Sequence, residues 1–241
     1  MLVDTGFTRQ QAEVLAFLRE SRHHLAVVTH HHEDHSGNVA SVAAAGLEVF
    51  APKLALEPIA GGFEVQYYRR RVWGLPERLR CRELPVELRA GPLDLKVVAA
   101  PGHSEDMTVL HVPQRGWVFA GDLFITRRLQ FLRADEDAHA LIASLDRVLA
   151  LDFDTLMCAH RGVLRDGRAQ LQAKRDYLAG LRDQVRELAA QGWSPRRITR
   201  RVLGSEQAIY YYTRGHFSRI NFVRSFLSVS PSIGGAGPPT R

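Results

Sequence analysis

Thr29-His30-His31-His32-Glu33-Asp34-His35 sets four imidazoles and two carboxylates within seven residues. That density of nitrogen and oxygen donors is the chemistry of metal binding. Alternate residues of an extended segment point the same way, so His30 and His32 can grip one ion while His31 and Glu33 face elsewhere. Where the chain bends toward a following helix, Asp34 and His35 can reach a second ion nearby. Imidazole and carboxylate together suit zinc, with iron or manganese as the alternatives.

Three later fragments carry a further donor, each in a loop that follows a β-like run. Pro101-Gly102-His103-Ser104 follows Leu95–Ala99. Ala120-Gly121-Asp122 follows Trp117–Phe119. Cys158-Ala159-His160-Arg161-Gly162 follows Thr155–Met157. A glycine near each donor lets the backbone pass close to a bound ion. Taken singly, Asp122 reads as a turn residue and Asp4 as a strand-end Asx turn; it is the series that promotes them. Cys158 reads as a buried strand residue, and Arg69–Arg71 as a solvated run. Tyr210–Tyr212 reads as packing. His23, His24, His111 and His139 read as surface or supporting residues, and His216 as belonging to a helix start.

The elements that must position these donors follow from periodicity and punctuation. Met1–Asp4 reads as the end of a strand, followed by a helix capped by Thr8. Leu25–Thr29 and Glu48–Ala51 read as strands, with a small-residue helix over Ser36–Ala45 between them. Residues 52–84 lack clear periodicity and read as a long loop or lid. Val86–Arg89 and Leu93–Ala99 form a hairpin, and Thr108–Val112, Trp117–Ala120 and Thr155–Ala159 are further strands. Ala138–Leu149 is an amphipathic helix with acids at its start. Beyond Gly162 the chain turns helical: a long helix up to Gly192, a second from Ser194-Pro195 to Gly204, and a third over Phe217–Leu227.

The five donor segments, in this order, resemble the metallo-β-lactamase superfamily. Asp4 stands in Val3-Asp4-Thr5-Gly6, ahead of His30–His35, His103, Asp122 and His160. The resemblance implies an α/β fold, the four-layer αββα sandwich, over residues 1–162. A basic helical lobe over 163–228 and a disordered tail over 229–241 complete the expected layout. It also implies that His30, His32 and His103 hold one ion, that Asp34, His35 and His160 hold the other, and that Asp122 bridges two Zn(2+) per chain. Asp4 would steady the ligand loops from behind. Asp34 would be catalytic, orienting a hydroxide shared by the ions and taking a proton. Asp at the bridging position disfavours β-lactam hydrolysis, and His32 disfavours the diiron oxygen-reducing branch. Pro101–Ser104 and Ala120–Phe124 are similar to the glyoxalase II-like hydrolases, while the C-terminal lobe is closer in layout to the β-lactamase-like endoribonucleases. Superfamily members place two or more strands ahead of the Val3–Gly6 segment, so either N-terminal strands are missing from the sheet or the start lies upstream.

Composition narrows the functions further. Length 241, 45% hydrophobic and 24% charged residues fit a globular chain, with no signal-like segment or membrane-spanning run expected. Two cysteines make no disulfide framework, and a reducing cytoplasm is the expected location. The net charge of +6 is uneven: residues 161–241 hold 15 Lys/Arg against 5 Asp/Glu. Such a lobe attracts phosphates, thioester cofactors, nucleic acid or simply water. The leading expectation is a dinuclear hydrolase of an ester or thioester-type small molecule, with the basic charge leaving room for an anionic substrate. The alternatives are a metal-dependent endoribonuclease or phosphodiesterase, and a regulatory nucleic-acid-binding module that retains the metal site.

Overall fold

The computed structural model describes residues 1–228; the tail expected to be disordered lies outside the described residues. Strands β1 (Leu2–Val3), β2 (Leu25–Val27), β3 (Glu48–Ala51) and β4 (Arg82–Glu83) form one parallel sheet in that order. Side chains on a strand alternate between faces, and the sequence uses both. Ala26 and Val49 face outward onto Leu18 of α1 (Gln11–Glu20) and Val39 and Val42 of α3 (Val39–Ala44), the latter reached through the short α2 (Glu33–Ser36). Val27 and Phe50 face inward and meet Leu95, Leu110 and Val112 of the second sheet.

That second sheet runs β11-β10-β8-β7-β6-β5. Its members are β5 (Glu87–Ala90), β6 (Leu93–Ala99), β7 (Thr108–Val112), β8 (Trp117–Phe119), β10 (Thr155–Cys158) and β11 (Gly162–Leu164). Its outer face carries Val109, Val118 and Leu156. These pack under Leu141 and Leu145 of α6 (Ala138–Leu149), Leu171 and Leu178 of α7 (Gly167–Ala190), and Phe222 and Phe226 of α10 (Arg219–Leu227). The result is the expected αββα layering, helices on both outer faces of two packed sheets. Each fully buried Leu or Phe of this kind contributes roughly 1.5–3 kcal/mol. The C-terminal helices α7, α8 (Pro195–Val202) and α10 share this core with the second sheet. No helix among the described residues is long and apolar enough to cross a membrane.

Several local expectations are corrected. Residues 52–84 are not a structureless loop: they hold a 3-10 turn (Lys53–Ala55), α4 (Leu56–Gly61), α5 (Tyr67–Trp73) and β4. Gly62 and Gly74 end the two helices at positive φ, so each is too short to display a helical period. The helix expected over Ser36–Ala45 begins earlier, at Glu33, and breaks at Gly37-Asn38. There the Asn38 amide donates to the carbonyls of Thr5 and Phe7. Thr8 does not cap α1; it opens a 3-10 turn, and its hydroxyl donates to the Trp73 carbonyl. Arg69 is buried rather than solvated, and Tyr211 is largely exposed, while Tyr212 rests against the rings of Tyr67 and Tyr68. Short elements also went unforeseen: α9 (Ala208–Tyr212), and β9 (Leu132–Arg133) paired with β12 (Phe217–Ser218). Two- and five-residue elements carry no readable period.

Lys174 on α7 is fully buried, and its Nζ donates to the Leu123 carbonyl at 2.6 Å, tying α7 to the turn that carries Asp122. Burial lowers its pKa from 10.5 to about 8. Between those two values the unfolded chain holds a proton that the folded chain has released, so stability must rise with pH across that window, by up to about 3 kcal/mol. Thermal melts of the wild type and Lys174→Met from pH 7.5 to 10 should differ by that rise. Parallel pH dependence in the two proteins would show that the buried ammonium is not destabilised.

Candidate metal centre

Strands β6, β8 and β10 run in the same direction, because β7 is antiparallel to both β6 and β8 and β10 is parallel to β8. Their C-terminal ends therefore lie at one end of the sheet, and they deliver His103, Asp122 and His160 respectively. The loop after β2 reaches the same place from the other sheet, where the Thr108 backbone N–H donates to the Thr29 carbonyl at 2.9 Å. Close approach of these segments needs Gly121, which sits at φ 47°; a Cβ there would come within 2.9 Å of Met107 and Thr29.

All seven expected residues meet. His30, His32 and His103 form one group and Asp34, His35, Asp122 and His160 another; within each, one donor atom per residue lies within 4.8 Å of the rest. Asp122 faces both. One carboxylate oxygen is 3.1 Å from His103 Nε2, and the other is 2.8 Å from His160 Nε2 and 3.2 Å from His35 Nε2. His32 Nδ1 is 3.0 Å from His103 Nε2. Asp34 stands 3.7 Å from His35 Nε2 and 3.8 Å from His160 Nε2. The intervening residues turn away: His31, between His30 and His32, pairs with Asp106, and Glu33, at the start of α2, pairs with Arg69.

The outward nitrogens of four histidines are all occupied. Thr29 Oγ1 lies 3.0 Å from His30 Nδ1, and Asp4 Oδ2 is 2.7 Å from His35 Nδ1. Glu136 Oε1 is 2.7 Å from His103 Nδ1, and the Arg133 guanidinium is 3.2 Å from His32 Nε2. Such outer partners fix ring orientation. Asp4 achieves this at φ 59°, an uncommon backbone for a residue with a side chain. Its carboxylate also accepts from the Thr29 N–H at 2.7 Å, which holds the histidine segment in place. Arg133 and Glu136 were not foreseen. They lie in a segment without period, and only the partly legible acid cluster at Asp135–Asp137 marks it; Asp137 caps α6 there.

The inward atoms behave differently. His30 Nε2 is buried without a hydrogen-bond partner, and the contacts of buried Asp122 Oδ1 with His35 Nε2 and His160 Nε2, at 3.2 and 2.8 Å, lack hydrogen-bond geometry. Orphaned buried donors and acceptors are rare in native proteins, and these converge on the space between the two groups. Burial holds His30 well below the ordinary histidine range, and burial with the nearby Arg133 does the same for His32. Both are therefore neutral and offer lone pairs. Burial opposes ionisation of Asp122, but His35 and His103 outweigh it and hold the carboxyl well below the usual range. Burial opposes protonation of His35, but Asp122 and Asp4 outweigh it and hold the ring well above the ordinary histidine range, and the contact with Asp122 raises His160 as well. These two rings would release their protons to a cation bound beside the ionised carboxylate, while His30 and His32 are already neutral, so the donor set fits a pair of metal ions.

The matches to known proteins agree with this geometry. The family model for the metallo-beta-lactamase superfamily matches residues 1–160, and the chain belongs to that superfamily. A hydroxyacylglutathione hydrolase of Cupriavidus taiwanensis is 33% identical over 166 residues, 66% of this chain and 58% of the relative. One from Albidiferax ferrireducens is 31% identical over 173 residues, 68% of this chain and again 58% of the relative. The match thus spans under two thirds of either relative's length. Among solved structures, a metallo-beta-lactamase family protein from Thermus thermophilus shares the fold with a TM-score of 0.66 at 18% identity, covering 93% of this chain and 82% of that one. TTHA1623 in a di-iron-bound form gives 0.54 at 29% identity, covering 69% and 84%.

Proposed function

We propose that this chain is a dinuclear metal-dependent hydrolase of ester or thioester-type small molecules. The observation that carries the reading is Asp122, whose two carboxylate oxygens face separate donor groups, with the unpartnered His30 Nε2 buried in the first of them. His30, His32 and His103 would hold one cation, Asp34, His35 and His160 the other, with Asp122 between them. Zinc suits this donor set, and the di-iron-bound relative keeps iron in view. Two bound cations would polarise the substrate carbonyl and acidify water.

The chain's own residues supply the rest. Asp34 is only 10% exposed at the floor of a cavity of about 460 Å³, where it can accept the proton of the attacking water. The C–O bond forms, the C–S or C–O bond to the leaving group breaks, and Asp34 passes the proton it took from water to the departing sulfur or oxygen, leaving a carboxylic acid that ionises to the carboxylate and a thiol or alcohol. Trp73, Ile125, Leu129, Phe131 and Phe217 line the cavity and can bury an acyl group. Arg69 holds Glu33 at 2.6 Å below that wall and fixes the α5 side of the cavity. Both cysteines are free, which suits the reducing cytoplasm we assign as the location.

The ring partner of His103 offers a test of ligation that does not touch the first group itself. Glu136→Gln is expected to weaken metal affinity by about 10–100-fold, read by competition with a chromogenic chelator. Unchanged affinity would remove His103 from the ligand set. The class of reaction is tested by offering the metal-loaded protein S-acyl thioesters, lactones, a generic phosphodiester and single-stranded RNA. Thioester or lactone turnover is expected, and RNA cleavage alone would overturn the reading.

A nuclease reading draws on α8, which carries Arg196, Arg197, Arg200 and Arg201. Arg197, however, stacks on Trp193 at 3.6 Å, and Arg196 and Arg200 border a separate groove with Tyr210 and Tyr211. Replacing all four with glutamine should therefore leave thioester turnover unchanged. A steep salt dependence of RNA binding that is lost in this variant would favour the nuclease instead.

A further inference from the structure

A second cavity, of about 380 Å³, opens beside the one over the metal centre. The two share Thr126 and Arg128, and where His160 borders the first, its neighbour Arg161 borders the second. They are consecutive stretches of one path that leaves the donor cluster past His160, whose side chain is 35% exposed and marks the open side of the site. The balance of charge differs along that path. In the first stretch Arg69 and Arg133 are paired with Glu33, Asp135 and Glu136, and Trp73, Ile125, Leu129, Phe131 and Phe217 supply an apolar wall; Arg128 stands where the two stretches meet, and Arg127 and Arg161 join it in the second.

Arg127 is partly neutralised: its Nε donates to Gln170 at 2.6 Å and its guanidinium is 3.7 Å from Asp166. Arg128 and Arg161 have no carboxylate within ion-pair distance among the described residues, and both are exposed. Two unneutralised guanidiniums beside a third, half-satisfied one match a dianion better than a monoanion. A phosphate monoester carries about −1.5 to −2 at neutral pH and offers three acceptor oxygens to the arginine fork. A single carboxylate would leave one guanidinium unmatched.

We propose that the pocket formed by Phe124, Thr126, Arg127, Arg128 and Arg161 is a phosphate subsite, and that the substrates are thioesters whose thiol carries a phosphate monoester. The inference rests on the thioester reading above and deepens it. The acyl group lies against Leu129, Phe131 and Phe217, the carbonyl sits at the donor cluster, and the phosphorylated thiol leaves past His160 toward Arg161.

The test holds the acyl group constant and varies the thiol: pantetheine 4′-phosphate, pantetheine, and glutathione, which offers carboxylates only. The phosphorylated thioester is expected to have a kcat/KM about 10–100-fold above the other two, the range of a charge-assisted hydrogen-bond pair, and the advantage should shrink as salt rises. Arg128→Gln combined with Arg161→Gln should bring the ratio to about one; both side chains are exposed, so the core is untouched. Equal kcat/KM for the three thioesters in the wild type, or a preference that survives in the double variant, would overturn the subsite. Calorimetry with S-methyl pantetheine 4′-phosphate and its dephospho form reads the subsite without turnover. Binding that requires the phosphate and both arginines, with all thioesters inert, would keep the subsite and remove the thioester reading. Turnover without phosphate dependence would do the reverse. RNA cleavage that depends on Arg128 and Arg161 would assign the phosphate to a nucleic-acid backbone and overturn the thioester proposal.

Discussion

Asp122→Ala is expected to strip the protein of at least one metal ion and to reduce turnover by more than the roughly 10–100-fold that an outer partner is worth. The side chain is 5% exposed, and its two oxygens lie 3.1 Å from His103 Nε2 and 2.8 Å from His160 Nε2. Removing it leaves His35 and His103 without the negative charge that balances bound cations, and the two donor groups lose their shared member. The variant should still fold. Its neighbours Gly121 and Leu123 are anchored independently, the latter by Lys174, and the αββα core does not include the carboxylate. Metal analysis and circular dichroism on the same sample separate the outcomes. Full metal retention with a native spectrum would refute a bridging role.

Asp34→Asn is expected to lower turnover by about 10²–10⁴-fold, the usual contribution of a positioned general base, with little change in melting temperature. The substitution keeps the shape of the side chain and removes its ability to take a proton. It also leaves a neutral amide oxygen toward His35 and His160, so a moderate loss of metal affinity accompanies the loss of turnover. The diagnostic is therefore the rate at saturating metal. If turnover recovers fully when metal is raised, Asp34 is a ligand only, and proton transfer belongs to another group.

How much of this was legible beforehand follows from sequence separation. The donors of His30–His35 are close in the chain: alternation points His30 and His32 the same way, and the short α2 that follows carries Asp34 and His35, so the segment could be read directly. His103, Asp122 and His160 were legible because each follows a strand of recognisable pattern, and β6, β8 and β10 turned out to be co-directional. The groups that hold the donors in place were harder. Asp4 is 31 residues from His35 and could be named only through the family pattern. Glu136 and Arg133 act on His103 and His32 across 33 and 101 residues, and nothing local distinguishes them from surface charges. Arg69 shows the same difficulty: Arg69-Arg70-Arg71 reads as a solvated run, yet its first member is buried against Glu33 because α5 folds over the site. That fold-over was hidden because α4 and α5 are six and seven residues long, too short to reveal a period. The helices with a clear apolar stripe, α6 and α7, sit where the spacing of their leucines put them.

The central claim, a pair of metal ions held on either side of Asp122, is tested most directly by titrating metal-free protein with zinc in a calorimeter. The account predicts saturation at two equivalents per chain in the wild type. Saturation at one equivalent, or no binding at micromolar protein, would contradict it.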